Sequence, residues 1–278
     1  MGVYHFSYDR FSDPSYPWPI DFGAPVQSSG LRILYGDAMT WSAMQSDFTQ
    51  TVPVLSDPIE GLRITQSVFG YQRSDLRNVL FVRYDLKNMG SSSLTDVLVG
   101  YYSDTDLANP FNNAVGYDAD RGITYTPTPA DGFTTYYAAG YAFVEIPILD
   151  PTHGASAHRV MWKEEHPLYG ETNLVVPSQV LDALKGRDNN GAPMIDPTTG
   201  QETAYAFSGN PTTGTGWVDE MRDVCSLMAK GPFQLEAGDE RAVTVVWAVE
   251  EAGSLEAALI RLKAKIDNVR LETRLWNF

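Results

Sequence analysis

Cysteine is nearly missing from this chain. Cys225 stands alone among 278 residues, so no intrachain disulfide can form. Shape must then be held by a core or by bound ions, as in exported bacterial proteins that lack disulfides. Positive charge is thin as well: 20 Lys and Arg against 35 Asp and Glu leave a net charge of −15. Such a surface repels phosphate backbones and anionic bilayers, which argues against nucleic acid as a partner and suits divalent cations. No apolar run approaches the roughly 20 residues of a membrane-spanning helix, so no membrane insertion is expected. The N-terminus, MGVYHFSYDRF, lacks the basic segment and apolar run of a secretory signal. Phe6 stands where a myristoylation site after Gly2 would need Ser or Thr. On these grounds the chain is either cytosolic or a mature or trimmed piece of an exported protein.

Common catalytic signatures are also missing. There is no GxxxxGK[ST], no GxGxxG, no HExxH and no paired-cysteine pattern. Gly154 and Ser156 begin a nucleophile elbow, but His158 stands where the second glycine belongs, so Ser156 reads as a loop serine. His153, His158 and His166, near Glu164 and Glu165, are conceivable zinc ligands and equally surface histidines in a loop. Cys225 reads as a small buried residue.

What remains is an ordinary globular composition, 43% hydrophobic and 20% charged, long enough for a sizeable core. Residues 1–30 carry Pro14, Pro17, Pro19 and Pro25 beside Tyr16, Trp18 and Phe22, the pattern of an extended arm packed onto a body, with a disordered leader as the alternative. Leu31–Tyr35 is a short strand candidate. Asp37–Phe48 places Trp41, Met44 and Phe48 at helical spacing, which predicts a short amphipathic turn. Leu62–Tyr71 is a strand candidate. Val79–Leu86 alternates, with Leu80, Val82, Tyr84 and Leu86 on one face and Arg83 and Asp85 on the other. With the turn cluster Asn88–Ser93 and the strand Leu94–Tyr102 it predicts a β-hairpin.

Gly122–Tyr125 and Thr134–Leu149 give further strands about a turn at Asp131-Gly132, and residues 150–217 are irregular except for a short helix near Val180–Leu184, stopped by Gly186. Phe233–Leu235 and Ala242–Val249 predict a second hairpin, with Val243, Val245, Trp247 and Val249 on one face. Ser254 caps a helix from Leu255 to about Thr273, with Leu255, Leu259, Leu262, Ile266 and Val269 along one stripe. The fold expected is a single mainly β domain over 1–278: an antiparallel β-sandwich with long loops, the arm 1–30, and a C-terminal α-helix packed on its edge over 254–274. An α+β fold is the alternative.

The sharpest chemical signal is Val97–Asp120, a hydrophobic strand running into an acidic, Asn-rich loop that holds Asp104, Asp106, Asn109, Asn112, Asn113, Asp118 and Asp120. Oxygen ligands at this density suit a hard cation such as Ca²⁺. The expected ligands are Asp104, Asp106, Asn112, Asn113 and Asp118. The loop is not an EF-hand: Ala108 occupies the fifth position and Val115 the place of the bidentate Glu. A solvated polar turn is the alternative reading. Aromatic residues Trp18, Trp41, Tyr101, Tyr102, Tyr136, Tyr137, Trp162 and Trp217 either build the core or offer faces on which sugar rings stack.

The segment FVRYDLKNMGSSSLTDVLVGYYSDTDLANPFNNAVGYD resembles a recurring segment of large exported bacterial proteins that often carry a C-terminal type IX secretion sorting domain. Asp104, Asp106, Asn112, Asn113, Gly116 and Asp118 stand on that pattern. Gly61–Tyr71, Phe207–Asp219 (FSGNPTTGTGWVD) and GPFQLEAGDERAVTVVWAVEEAGS are similar to further stretches of the same proteins. Asn109, Asn112 and Asn113 replace residues that are often Gly or Asp there, which lowers ligand charge. The resemblance implies an extracellular or cell-surface setting and a binding or structural role, with a glycan or a protein as partner, and it brings no established activity. Two functions are carried forward. One is a non-catalytic, calcium-stabilised surface module. The other is a polysaccharide hydrolase using carboxylates such as Asp104, Asp106 or Glu164.

Overall fold

The computed structural model describes residues 2–7, 18–45, 59, 61–107, 113–128, 135–145, 155–162, 177–220 and 223–273. Their strands are β1 (Gly2–Ser7), β2 (Ala38–Gln45), β3 (Leu62–Gly70), β4 (Val79–Asn88), β5 (Leu94–Asp104), β6 (Gly116–Asp118), β7 (Ile123–Pro127), β8 (Tyr136–Glu145), β9 (Ala157–Trp162), β10 (Met194–Ile195), β11 (Glu202–Thr203), β12 (Val224–Leu235) and β13 (Glu240–Ala252). The helices are α1 (Pro177–Leu184) and α2 (Leu255–Thr273).

Eight strands form one sheet in the order β1-β2-β3-β4-β13-β8-β7-β6, with every pairing antiparallel. A second antiparallel sheet, β5-β12-β9, stacks on it, and β10-β11 make a small separate ladder. The protein is therefore a mainly β antiparallel sandwich with a C-terminal helix.

Residue alternation sets the layers. On β4 and β13 one set of side chains, including Leu86, Val243, Val245 and Trp247, meets Leu94, Val99, Tyr101 and Met228 of the small sheet. The opposite set, Phe81, Val246 and Ala248, meets Leu259, Leu262, Ile266 and Val269 of α2. Both faces of β13 are covered, which is why AVTVVWAV is apolar at nearly every position rather than at every second one. Helix α2 thus lies flat on the face of the large sheet rather than on the expected edge of the sandwich. Burying its four aliphatic side chains contributes roughly 1.5–3 kcal/mol each before ordering costs. The Ser254 cap is formed: its Oγ accepts from the Ala257 amide at 3.2 Å. Arg270 pins the far end, donating to the carbonyls of Phe143, Gly122 and Arg121. Helix α1 covers the outer face of the small sheet, where Leu184 and Ala183 pack on Leu227, Cys225 and Met161.

Neither expected hairpin forms. β4 and β5 belong to different sheets, as do β12 and β13, so both connections are arches that carry the chain from one layer to the other. Asp37–Phe48 is not a helical turn: over 38–45 it is strand β2, with Met39, Trp41 and Ala43 buried at a period of two. Leu31–Tyr35 is not a strand. It holds one bridge, Arg32 to Val26, and Leu31 is exposed. The arm is partly built into the body: β1 pairs with β2, and Trp18 packs on the core while its Nε1 donates to the Pro25 carbonyl at 3.0 Å. The turn Asp131-Gly132 lies outside the described residues.

Candidate metal site

Strand register builds the acidic site. Cys225 on β12 pairs with Asp104 on β5. Asp106 lies two residues beyond Asp104, and Asp223 just before β12, at the same end of the two strands. The three carboxylates of Asp104, Asp106 and Asp223 offer oxygen atoms that all lie within 4.8 Å of one another. Asp104 and Asp106 are exposed and Asp223 is half-buried. Carboxylates this close repel one another, and a bound cation would offset that repulsion.

The chain leaving β5 is held by side chains rather than by a ladder. Ser103 Oγ and Thr105 Oγ1 share a hydrogen bond of 2.8 Å. Asn113 Oδ1 accepts from the Leu107 amide at 3.2 Å, and Asn113 is buried. Asp219 Oδ2 then accepts from the Val115 amide at 3.1 Å, and the Tyr117 amide donates to the Phe207 carbonyl at 3.0 Å. The stretch Phe207–Asp219 thereby packs against the returning loop, with Phe207, Trp217, Val115 and Val224 in one cluster. Gly116 is required there, because a Cβ would come within 2.3 Å of the Tyr125 ring.

Of the five expected ligands, Asp104 and Asp106 stand together. Asn112 lies outside the described residues, as does Asn109. Asn113 accepts from the Leu107 amide, as above. Asp118 has another role: its Oδ2 takes Lys263 Nζ at 2.8 Å and Arg121 Nη1 at 3.3 Å, joining β6 to α2. Burial pushes the Asp118 carboxyl up, but its bonds to Lys263 and Arg121 outweigh that and hold it below the usual carboxylate range. Asp223 was not legible in the sequence, because only the pairing of two strands far apart in the chain brings it to Asp106.

The three carboxylates each offer one oxygen to this cluster, hard donors that could hold a metal ion. Zinc chemistry has less to draw on. His158 lies in β9, not in a surface loop, and is fully buried. Its Nδ1 donates to the Ala206 carbonyl at 2.9 Å, and its ring stacks on Tyr117, which stacks in turn on Tyr205. Burial pushes its pKa down to about 4. His153, His166, Glu164 and Glu165 lie outside the described residues.

Another carboxylate pair, Asp85 and Glu145, is bridged by Arg83 at 2.9 and 2.6 Å, and Thr244 Oγ1 donates to Glu145 at 2.6 Å. Burial pushes the Asp85 carboxyl up, against the opposing pull of Arg83.

Among the aromatics, Trp41 and Trp217 are buried, while Tyr102 and Tyr137 are exposed. Tyr137 lies with Leu80, Trp247 and Val249 on an open cavity of about 650 Å³. No protein-family model matches the chain, and no curated protein matches it.

Proposed function

We propose that this protein is a non-catalytic, calcium-stabilised β-sandwich module with a binding or structural role, working outside a bacterial cell or on its surface. One observation carries the cation: Asp104, Asp106 and Asp223 converge at the shared end of β5 and β12. In a fold without a disulfide, an ion there ties together two strand ends that repel each other. The extracellular setting, type IX export among the routes, rests on the sequence resemblance, and a glycan or protein partner follows from the same likeness. The hydrolase alternative would need two carboxylates facing each other across a sugar. Asp104, Asp106 and Asp223 instead bring their oxygens within 4.8 Å of one another, and Asp85 and Glu145 are tied to Arg83.

Thermal melting in calcium and in EDTA tests the cation. Extracellular calcium sites bind at about 0.1–1 mM, so 10 mM calcium stabilises such a fold by about 1.4–2.7 kcal/mol by mass action. That corresponds to a rise of roughly 3–10 °C in a domain of this size. Equal midpoints in the two buffers would remove calcium from the account.

A further inference from the structure

At one end the large sheet carries its inner face past the cover of the small sheet. Trp247 on β13 pairs with Leu80 of β4 and with Tyr141 of β8. The small sheet reaches this row: Trp247 Nε1 donates to Tyr101 Oη at 2.8 Å, and the Tyr141 and Ser226 hydroxyls share a bond of 2.9 Å. Side chains two and four residues further along β13 point to the same face. These are Val249 and Glu251, and Glu251 pairs with Tyr137 of β8. Leu80, Tyr137 and Val249 are exposed there, although the same face is buried at Val243 and Val245.

These residues, with Arg77 and Asn78 from the turn before β4, line the open cavity of about 650 Å³. Small-molecule sites occupy about 300–1,000 Å³, so the size suits a ligand. The lining divides by chemistry. Leu80, Val249 and the half-buried Trp247 supply apolar surface. Arg77, Asn78, Tyr137 and Glu251 supply donors and acceptors. Among the described residues none of these four side chains has a hydrogen-bond or ion-pair partner. Arg73, Arg83 and Arg121, by contrast, each hold a carboxylate. Arg77 and Glu251 thus share one cavity without pairing.

A mixed lining of this kind selects its ligand by class. An aliphatic chain would take water from Arg77, Asn78 and Glu251 and give them no partner in return. A polyanion would meet Glu251 and a net charge of −15. A pyranose ring satisfies both halves of the lining. Its C–H face lies on an aromatic ring, while the hydroxyls around its edge accept from Arg77 and Asn78 and donate to Glu251. Tyr137 is the ring free for stacking, since it is exposed and makes no aromatic contact among the described residues. Trp247 is already held against Tyr141 and Tyr101.

We propose that this cavity is a binding site for a neutral oligosaccharide, with one sugar ring stacked on Tyr137 and its hydroxyls bonded by Arg77, Asn78 and Glu251. The proposal rests on the binding role given above and names the ligand class and the place for it. It does not involve Asp104, Asp106 or Asp223, so melting in calcium and in EDTA reads the cation independently.

The test uses the full chain, with calcium present throughout. Native gels are cast with and without a β-glucan, a xylan, a mannan or a galactan. At least one polymer is expected to retard the protein, and titration calorimetry with its hexasaccharide then gives the affinity. Tyr137→Ala and Arg77→Ala are expected to weaken binding at least tenfold. Tyr137→Phe keeps the ring and is expected to lose less than Tyr137→Ala. Both positions are exposed, and far-ultraviolet circular dichroism and melting confirm that the variants are folded. Unchanged affinity in a folded Tyr137→Ala or Arg77→Ala places the sugar elsewhere, which overturns this site and leaves the binding role standing. An equal loss in Tyr137→Phe and Tyr137→Ala overturns the stacking. Retardation by none of the four polymers overturns the proposal as a whole and leaves the cation to its own test.

Discussion

Asn88 Nδ2 donates to the Leu235 carbonyl at 3.0 Å and so joins the two places where the chain leaves one sheet for the other. Asn88 ends β4, and Leu235 ends β12. The same amide donates to the Ser92 carbonyl at 2.8 Å, and its Oδ1 accepts from the Gly90 amide at 2.9 Å. Its backbone carbonyl accepts from Gly238 and its amide donates to Asp239, at 2.9 and 3.0 Å. The residue is 0% exposed and every hydrogen-bonding group it has is used.

Asn88→Ala removes three of those bonds and leaves buried groups without partners. We expect a loss of about 2–4 kcal/mol, read from the urea midpoint. Asn88→Asp should cost at least as much, because a carboxylate would face the Leu235 and Ser92 carbonyls. A loss below about 0.5 kcal/mol, the size of an ordinary surface change, would show that the two arches do not depend on this contact.

His158 gives the fold a pH dependence with a defined sign. Its folded pKa of about 4 lies below the unfolded value of 6.5, so the unfolded chain takes up more protons between these values. The contribution is fully present above pH 6.5 and is lost as pH falls towards 4, in total about 3 kcal/mol. Stability curves at intervals across pH 4–6.5 should show this decline, and His158→Gln should flatten it. An equally steep decline in the variant would assign it to carboxylates instead.

Asp118 and the acidic cluster should separate cleanly. Asp118→Asn weakens the link from β6 to Lys263, and we expect a loss of about 1 kcal/mol that is the same in calcium and in EDTA. Asp104→Asn and Asp106→Asn should instead reduce the calcium-dependent part of the melting temperature. Loss of the calcium response in Asp118→Asn would return that residue to the cation site.

Much of this fold is written in short-range pattern. The alternation of Val243, Val245 and Trp247, the stripe Leu259, Leu262 and Ile266, and the Ser254 cap all report local geometry, and each stands where its periodicity puts it. The arches were illegible for a physical reason. Turn residues at Asn88–Ser93 and Ala237–Asp239 reverse the chain but do not say whether the next strand pairs with the last or stacks over it. β2 was misread because Trp41 and Met44 mimic helical spacing, while Met39, Trp41 and Ala43 point to the core. The candidate site shows the same division. Asp104 and Asp106 sit on one strand end and are visible together. Asp223 reaches them only through the register of β5 with β12, which no local pattern encodes.

The most direct test of the cation is Asp223→Asn, melted in EDTA and in 10 mM calcium. Without metal the variant relieves repulsion among three carboxylates and should be more stable than the parent by up to about 1 kcal/mol. In calcium the order should reverse, because the parent gains the ion and the variant does not. A shift of the same sign and size in both buffers would contradict the account, leaving Asp104, Asp106 and Asp223 as a solvated acidic strand end.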